Sequence, residues 1–266
     1  IIPHFDEDTF VCMIDSTVYS NDFNEGCYTT EQKFEIDKQK FEIDKQNLYV
    51  LSSYNKIENK ESVKNIIIIG HHPITFEKGK SVDKTKVKTL VNSNTNQISY
   101  TKKIAKDKDK DKTIPTNDFL EFFMDLNKEI EKQSPNANLI YLCADTHLFQ
   151  YGKIEIKKGD NTVNITQIIA GTGGTTLDKN ISESKMNTDI NKKTGEYTIT
   201  YKVLESLSEH GFVEIRKLRR HSTPSRRYRS TVKNKYIRLG NGLDFRFHSV
   251  KSNSSKSRTR KYGSAP

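Results

Sequence analysis

Three of the seven histidines stand in two short strings, Ile66-Ile67-Ile68-Ile69-Gly70-His71-His72-Pro73 and Leu139-Ile140-Tyr141-Leu142-Cys143-Ala144-Asp145-Thr146-His147. Each string is a β-rich apolar run that stops at a cluster of imidazole and carboxylate groups. Those groups are the side chains that ligate metal ions. Apolar runs without alternation read as buried strands of the parallel type, and open α/β sheets place their sites at the carboxyl ends of such strands. The pairing of two such strings points to metal chemistry more strongly than either alone.

The remaining chain supplies elements to position them. Thr9-Phe10-Val11-Cys12-Met13-Ile14 reads as another buried strand, ending at Asp15-Ser16-Thr17. Residues 31–52 read as a helix that contains a tandem heptad, Lys33-Phe34-Glu35-Ile36-Asp37-Lys38-Gln39 repeated as residues 40–46. Phe34, Phe41 and Leu48 recur every seven residues, which predicts an apolar stripe packed on the sheet. A polar excursion, 77–115, ends in the alternating run Lys106-Asp107-Lys108-Asp109-Lys110-Asp111-Lys112 and reads as a solvated loop. Pro115-Thr116-Asn117 then opens a second helix with Phe119, Phe123, Leu126 and Ile130 on one face. Lys153–Lys157, Val163–Ala170, Tyr197–Val203 and Gly211–Ile215 follow as strands. The predicted fold class is α/β, a mixed sheet with flanking helices.

Composition sets the domain organisation. Of 266 residues, 33% are hydrophobic and 29% charged, less apolar material than a globular domain usually carries. Residues 217–266 hold 15 of the 44 Lys and Arg against one of the 34 acids, so this stretch carries +14 and the rest of the chain −4. The expected division is a catalytic-type body, 1–216, and a disordered basic tail, 217–266. Arg226, Arg227, Arg229, Arg258, Arg260 and Lys261 in that tail are candidates to bind nucleic acid or another polyanion in a salt-dependent way. Three cysteines, Cys12, Cys27 and Cys143, have no metal-type spacing and speak against a disulfide framework. No apolar stretch is long enough for a transmembrane helix.

The two strings, in this order, resemble the C-terminal half of the calcineurin-like metallophosphoesterases, the superfamily that includes purple acid phosphatases. That family's later motifs are a strand followed by Gly-His-His-Pro or Gly-His-Tyr-Pro, then a strand followed by Gly-His-x-His. Gly70-His71-His72-Pro73 matches the first fully, and the second is matched with Ala144 for Gly and Asp145 for the first His. Ile168-Ile169-Ala170-Gly171-Thr172-Gly173-Gly174 is similar to the glycine-rich strand end that follows. The resemblance spans residues 8 to 215.

It implies one sheet and its helices from an α/β/β/α sandwich, with the partner sheet absent. It implies metal-assisted hydrolysis of a phosphoester at two ions such as Mn, Fe or Zn. His71 and Asp145 would serve one ion and His147 the other, while His72 would stand behind the ligands or face the phosphate. The family's earlier motifs, Asp-x-His, Gly-Asp-x-x-Asp and Gly-Asn-His, do not occur upstream of Gly70. The chain is therefore expected to need a missing N-terminal half, and to bind metal weakly or not at all without it. Two other readings stand beside the hydrolase: an inactive scaffold that keeps the fold without metals, which Ala144 and Asp145 favour, and a polyanion-binding protein acting through its tail.

Overall fold

The computed structural model describes residues 3–6, 8–16, 30–77, 117–173, 176–217 and 236–250. Eight strands form one mixed sheet: β1 (Pro3–Asp6), β2 (Thr9–Met13), β3 (Asn65–Ile69), β4 (Asn138–Cys143), β5 (Phe149–Lys158), β6 (Asn161–Ala170), β7 (Asp189–Thr194) and β8 (Tyr197–Leu207), in the order β1-β2-β3-β4-β6-β5-β8-β7. β2, β3, β4 and β6 are mutually parallel, and the outer strands run antiparallel to their neighbours. A second, antiparallel sheet has the order β10-β11-β9, with β9 Gly211–Lys217, β10 Ile237–Gly240 and β11 Leu243–Ser249. Two long helices, α1 (Thr30–Asn55) and α2 (Asn117–Gln133), complete the α/β fold.

The unbroken isoleucine run of β3 is explained by cover on both faces. Ile66 and Ile68, with Leu139, Tyr141 and Cys143 of β4, join a core with Val50 and Tyr54 of α1 and Phe119, Phe122 and Phe123 of α2. Ile67 and Ile140 point the other way, into a core with Phe149, Tyr151 and Ile168 and with Leu239, Leu243, Phe245 and Phe247 of the small sheet. Successive strand residues thus serve opposite layers. The α2 face expected from its sequence is buried, and Leu120, Phe122 and Met124 widen it.

The stripe expected on α1 is corrected. Phe41 and Leu48 are 63% and 69% exposed, while Ile43, Val50 and Tyr54 are buried. The tandem heptad carries two apolar columns two residues apart, about 200° around a helix, and both keep a seven-residue period. One turn on from Phe41 and Leu48 stand Lys45 and Ser52, whereas Val50 is continued by Tyr54. The second column offers the wider apolar face and takes the core.

The tail boundary is corrected as well. Residues 236–250 of the stretch read as a disordered tail form the β10–β11 hairpin, which pairs with β9 and buries Leu239, Leu243, Phe245 and Phe247. The aliphatic residues of this stretch are too few for a core of their own. They suffice here because the opposite wall is the large sheet, and because two phenylalanines do most of the filling: Phe247 stacks on Phe149 at 4.6 Å and Phe245 lies 4.8 Å from Tyr151. The hairpin turn is also tied down, since Asn241 Nδ2 donates to the carbonyls of Lys64 and Asn136 at 2.8 Å each. The polyanion candidates Arg226, Arg227, Arg229, Arg258, Arg260 and Lys261 lie outside the described residues, as does the excursion beyond Glu77 up to Thr116. No described helix is long and apolar enough to cross a membrane.

Candidate metal centre

β3 and β4 are parallel neighbours, so their carboxyl ends deliver Gly70-His71-His72 and Ala144-Asp145 side by side. All four backbone polar groups of the histidine pair are satisfied from other elements. The amides of His71 and His72 both donate to Ser16 Oγ, at 2.7 and 2.8 Å. The His71 carbonyl accepts from the Ala144 amide at 2.9 Å, and the His72 carbonyl from the Tyr141 hydroxyl at 2.6 Å. Gly70 permits this packing: a Cβ there would lie 2.4 Å from Tyr141 Oη and 3.2 Å from Ser16 Cβ.

Asp145 has a φ of 56° and sits at the centre of a three-residue turn closed by the Thr146 amide on the Ala144 carbonyl at 2.7 Å. An L-residue in this left-handed conformation costs about 1–2 kcal/mol, least for short polar side chains such as Asp. The turn brings Asp145 Oδ1 to 3.5 Å from His71 Nε2. His71, His72 and Asp145 form the one group of three ligand-type side chains among the described residues, their ligand atoms within 4.8 Å of one another. The two imidazoles meet edge to face with centroids 4.9 Å apart.

His147 does not join this group. Its side chain is exposed, and its backbone is fastened to Asp178, which accepts from the His147 amide at 3.2 Å and donates its own amide to the His147 carbonyl at 2.7 Å. The glycine-rich end of β6 serves this loop by close approach: a Cβ on Gly171 would stand 1.7 Å from the Thr146 carbonyl oxygen.

Three buried glutamines, which the motifs did not single out, brace the surrounding loops. Each side-chain amide grips backbone as a neighbouring strand would. Gln46 of α1 accepts from the Asp15 amide at 2.7 Å and donates to the Asp15 carbonyl at 3.1 Å, beside Ser16. Gln167 of β6 accepts from the Ile74 amide at 2.8 Å and donates to the Thr75 carbonyl at 2.6 Å. Gln150 of β5 holds Glu77 in the same two-sided way, at 3.2 and 2.8 Å. The signal in the sequence is a glutamine inside an apolar strand run, Phe149-Gln150-Tyr151 and Thr166-Gln167-Ile168. Beneath the ligand loop, complete burial raises the Cys143 thiol well above its ordinary range, with the Asp145 charge adding to the effect. That thiol is inert packing.

The donor set suits an ion of the Mn, Fe or Zn kind, which accepts imidazole nitrogen and carboxylate oxygen together. The partly exposed cluster is open to solvent. His71, His72 and Asp145 converge at one place, and the described residues assemble no second group of three. Comparison with protein-family models, with curated proteins and with solved structures gives no match for this chain.

Proposed function

We propose that the chain is the part of a metal-dependent phosphoester hydrolase that carries the last two metal motifs, with His71 and Asp145 holding one ion and His72 facing the substrate phosphate. The observation that supports this most is the 3.5 Å approach of His71 Nε2 to Asp145 Oδ1, at the carboxyl ends of two adjacent parallel strands. An ion bound there supplies a Lewis acid that neutralises phosphate oxygens and makes water more acidic. The chain's own contribution is positional. Ser16, Tyr141 and Ala144 fix the backbone under both imidazoles, so the ligands meet an ion without first being ordered. In this reading His147 serves a second ion whose other ligands come from outside the described residues. The Asp-x-His, Gly-Asp-x-x-Asp and Gly-Asn-His motifs of the resembling family are the natural source.

Calorimetric titration of the purified chain with zinc or manganese tests the proposal. Weak binding is expected, abolished by His71→Ala and by Asp145→Ala, with no appreciable turnover of an aryl phosphate. Joining an upstream segment that carries the three earlier motifs should then produce hydrolysis that depends on His71 and His147. Metal binding that survives both substitutions would place the ion elsewhere and overturn the reading.

A further inference from the structure

We propose that Ser16 sets the tautomer of His72, so that His72 presents an N–H at Nε2 and acts as a donor to an oxyanion instead of a third metal ligand. This assignment rests on the metal-centre reading above. A serine hydroxyl has two acceptor lone pairs and one hydrogen. Both lone pairs of Ser16 Oγ are occupied by the amides of His71 and His72, at 2.7 and 2.8 Å. The residue is 2% exposed, so water does not compete for them. What remains is the hydroxyl hydrogen, and Nδ1 of His72 lies 3.3 Å away. Nδ1 is therefore the acceptor of that bond. A neutral imidazole carries a single N–H, which is then on Nε2.

An imidazole in this state has no lone pair to offer an ion through either nitrogen, because Nδ1 is engaged and Nε2 is protonated. It can only donate. The three-group cluster thus divides into two ligands, His71 and Asp145, and one donor ring with a nitrogen within 4.8 Å of their ligand atoms. An anion held at such an ion is a neighbour of that donor ring. The chemical class it fits is a tetrahedral oxyanion such as a phosphate ester. Ser16 is accordingly a positioning residue, acting through His72 without touching either ion or substrate. The same division gives different tasks to two adjacent histidines whose amides share one acceptor.

Long-range proton–nitrogen correlation of ¹⁵N-histidine-labelled full chain reads the tautomer directly. The expected result is a pyridine-type Nδ1 and a pyrrole-type Nε2 for neutral His72 before any metal is added. Zinc should then shift the imidazole of His71 while the Nε2 proton of His72 persists. In folded Ser16→Ala the tautomer should redistribute toward Nδ1–H. A pyrrole-type Nδ1 in the wild-type chain, loss of the His72 Nε2 proton on adding zinc, or an unchanged tautomer in folded Ser16→Ala would each overturn the assignment. Should that variant not fold, the two wild-type measurements decide. Because the tautomer is read before zinc is present, zinc that shifts no imidazole sinks the metal-centre reading alone.

Discussion

The hairpin inside the basic C-terminal stretch should be indispensable to the body, and Phe245 is the place to test it. Its side chain is fully buried, 4.8 Å from Tyr151 and 6.2 Å from Phe149 by ring centroid. Truncating a buried Phe to Ala costs about 3–5 kcal/mol through lost transfer energy and the cavity left behind. A domain of this size shifts in Tm by about 2–4 °C per kcal/mol, so Phe245→Ala should melt roughly 6–20 °C below the parent chain. Leu48→Ser, on the exposed side of α1, should stay within about 0.5 kcal/mol of it. Ending the chain before Tyr236 is the stronger perturbation. It removes Leu239, Leu243, Phe245 and Phe247 from the core, at about 1.5–3 kcal/mol each, or about 6–12 kcal/mol in all, against a typical total stability of about 5–15 kcal/mol. Thermal unfolding followed by circular dichroism should show the cooperative transition lost or nearly so. A truncated chain that melts within a few degrees of the full one, with the same amplitude, would refute the reasoning and restore the hairpin to the status of an appendage.

Other perturbations separate the supports of the site. Gly171→Ala sets a methyl 1.7 Å from the Thr146 carbonyl; overpacking of this kind costs about 1–3 kcal/mol or more, and both Tm and zinc affinity should fall in parallel titrations. Gln167→Leu leaves the buried Ile74 amide without its acceptor, worth about 1–3 kcal/mol, and amide hydrogen exchange at Ile74 should accelerate while β3 stays protected. Glu121 tests the pH dependence. Hydrogen bonds from Lys158, and then from the Tyr197 hydroxyl, hold its carboxyl below the usual carboxylate range. A depressed folded-state value means stability that is present above the unfolded value of about 4.3 and is lost as pH falls through the folded one. Glu121→Gln should therefore flatten the acid limb of a stability–pH curve below about 4.3; an unchanged limb would assign acid sensitivity to other carboxylates.

What was legible in the sequence follows from which signals have a single physical reading. The β3 and β4 runs admit only a strand covered on both faces, and the two histidine strings fall where such strands end. The α1 repeat was legible as a helix but not in its orientation, because Phe41 and Ile43 belong to columns with the same period; only their neighbours one turn away distinguish them. The hairpin was hidden by charge. The fifteen Lys and Arg of residues 217–266 set the composition of the stretch, yet alternation puts Leu243, Phe245 and Phe247, with Leu239, on the inner side, a period-two signal that a net-charge count averages away. At the site, the carboxyl ends of β3 and β4 bring His71 and Asp145 to 3.5 Å. His147 stands apart because the turn at Asp145 and the anchor at Asp178 direct that backbone elsewhere, which no local string encodes.

The buried glutamines bear on how the site works. Gln46, Gln150 and Gln167 each place a polar amide where an aliphatic side chain would pack without hydrogen-bonding demands. Each is used to hold a backbone amide or carbonyl of a loop that flanks the histidines, at Asp15, at Ile74-Thr75 and at Glu77. Polar groups are stable in such positions only when fully partnered, so their side chains and the loops fix one another. Lys192 extends the brace, donating to Thr75 Oγ1 at 2.7 Å and pairing with Glu77 at 3.0 Å. The loops beside the histidines are thus held by groups borne on α1, β5, β6 and β7. Under the proposed function, the weak metal binding expected of the chain would reflect too few ligands, not the entropy of arranging them, since ordering a flexible loop would otherwise be charged against every ion bound. In that proposal, ligands joined from an upstream segment would add their binding energy to His71 and Asp145 without a further cost of ordering the loop.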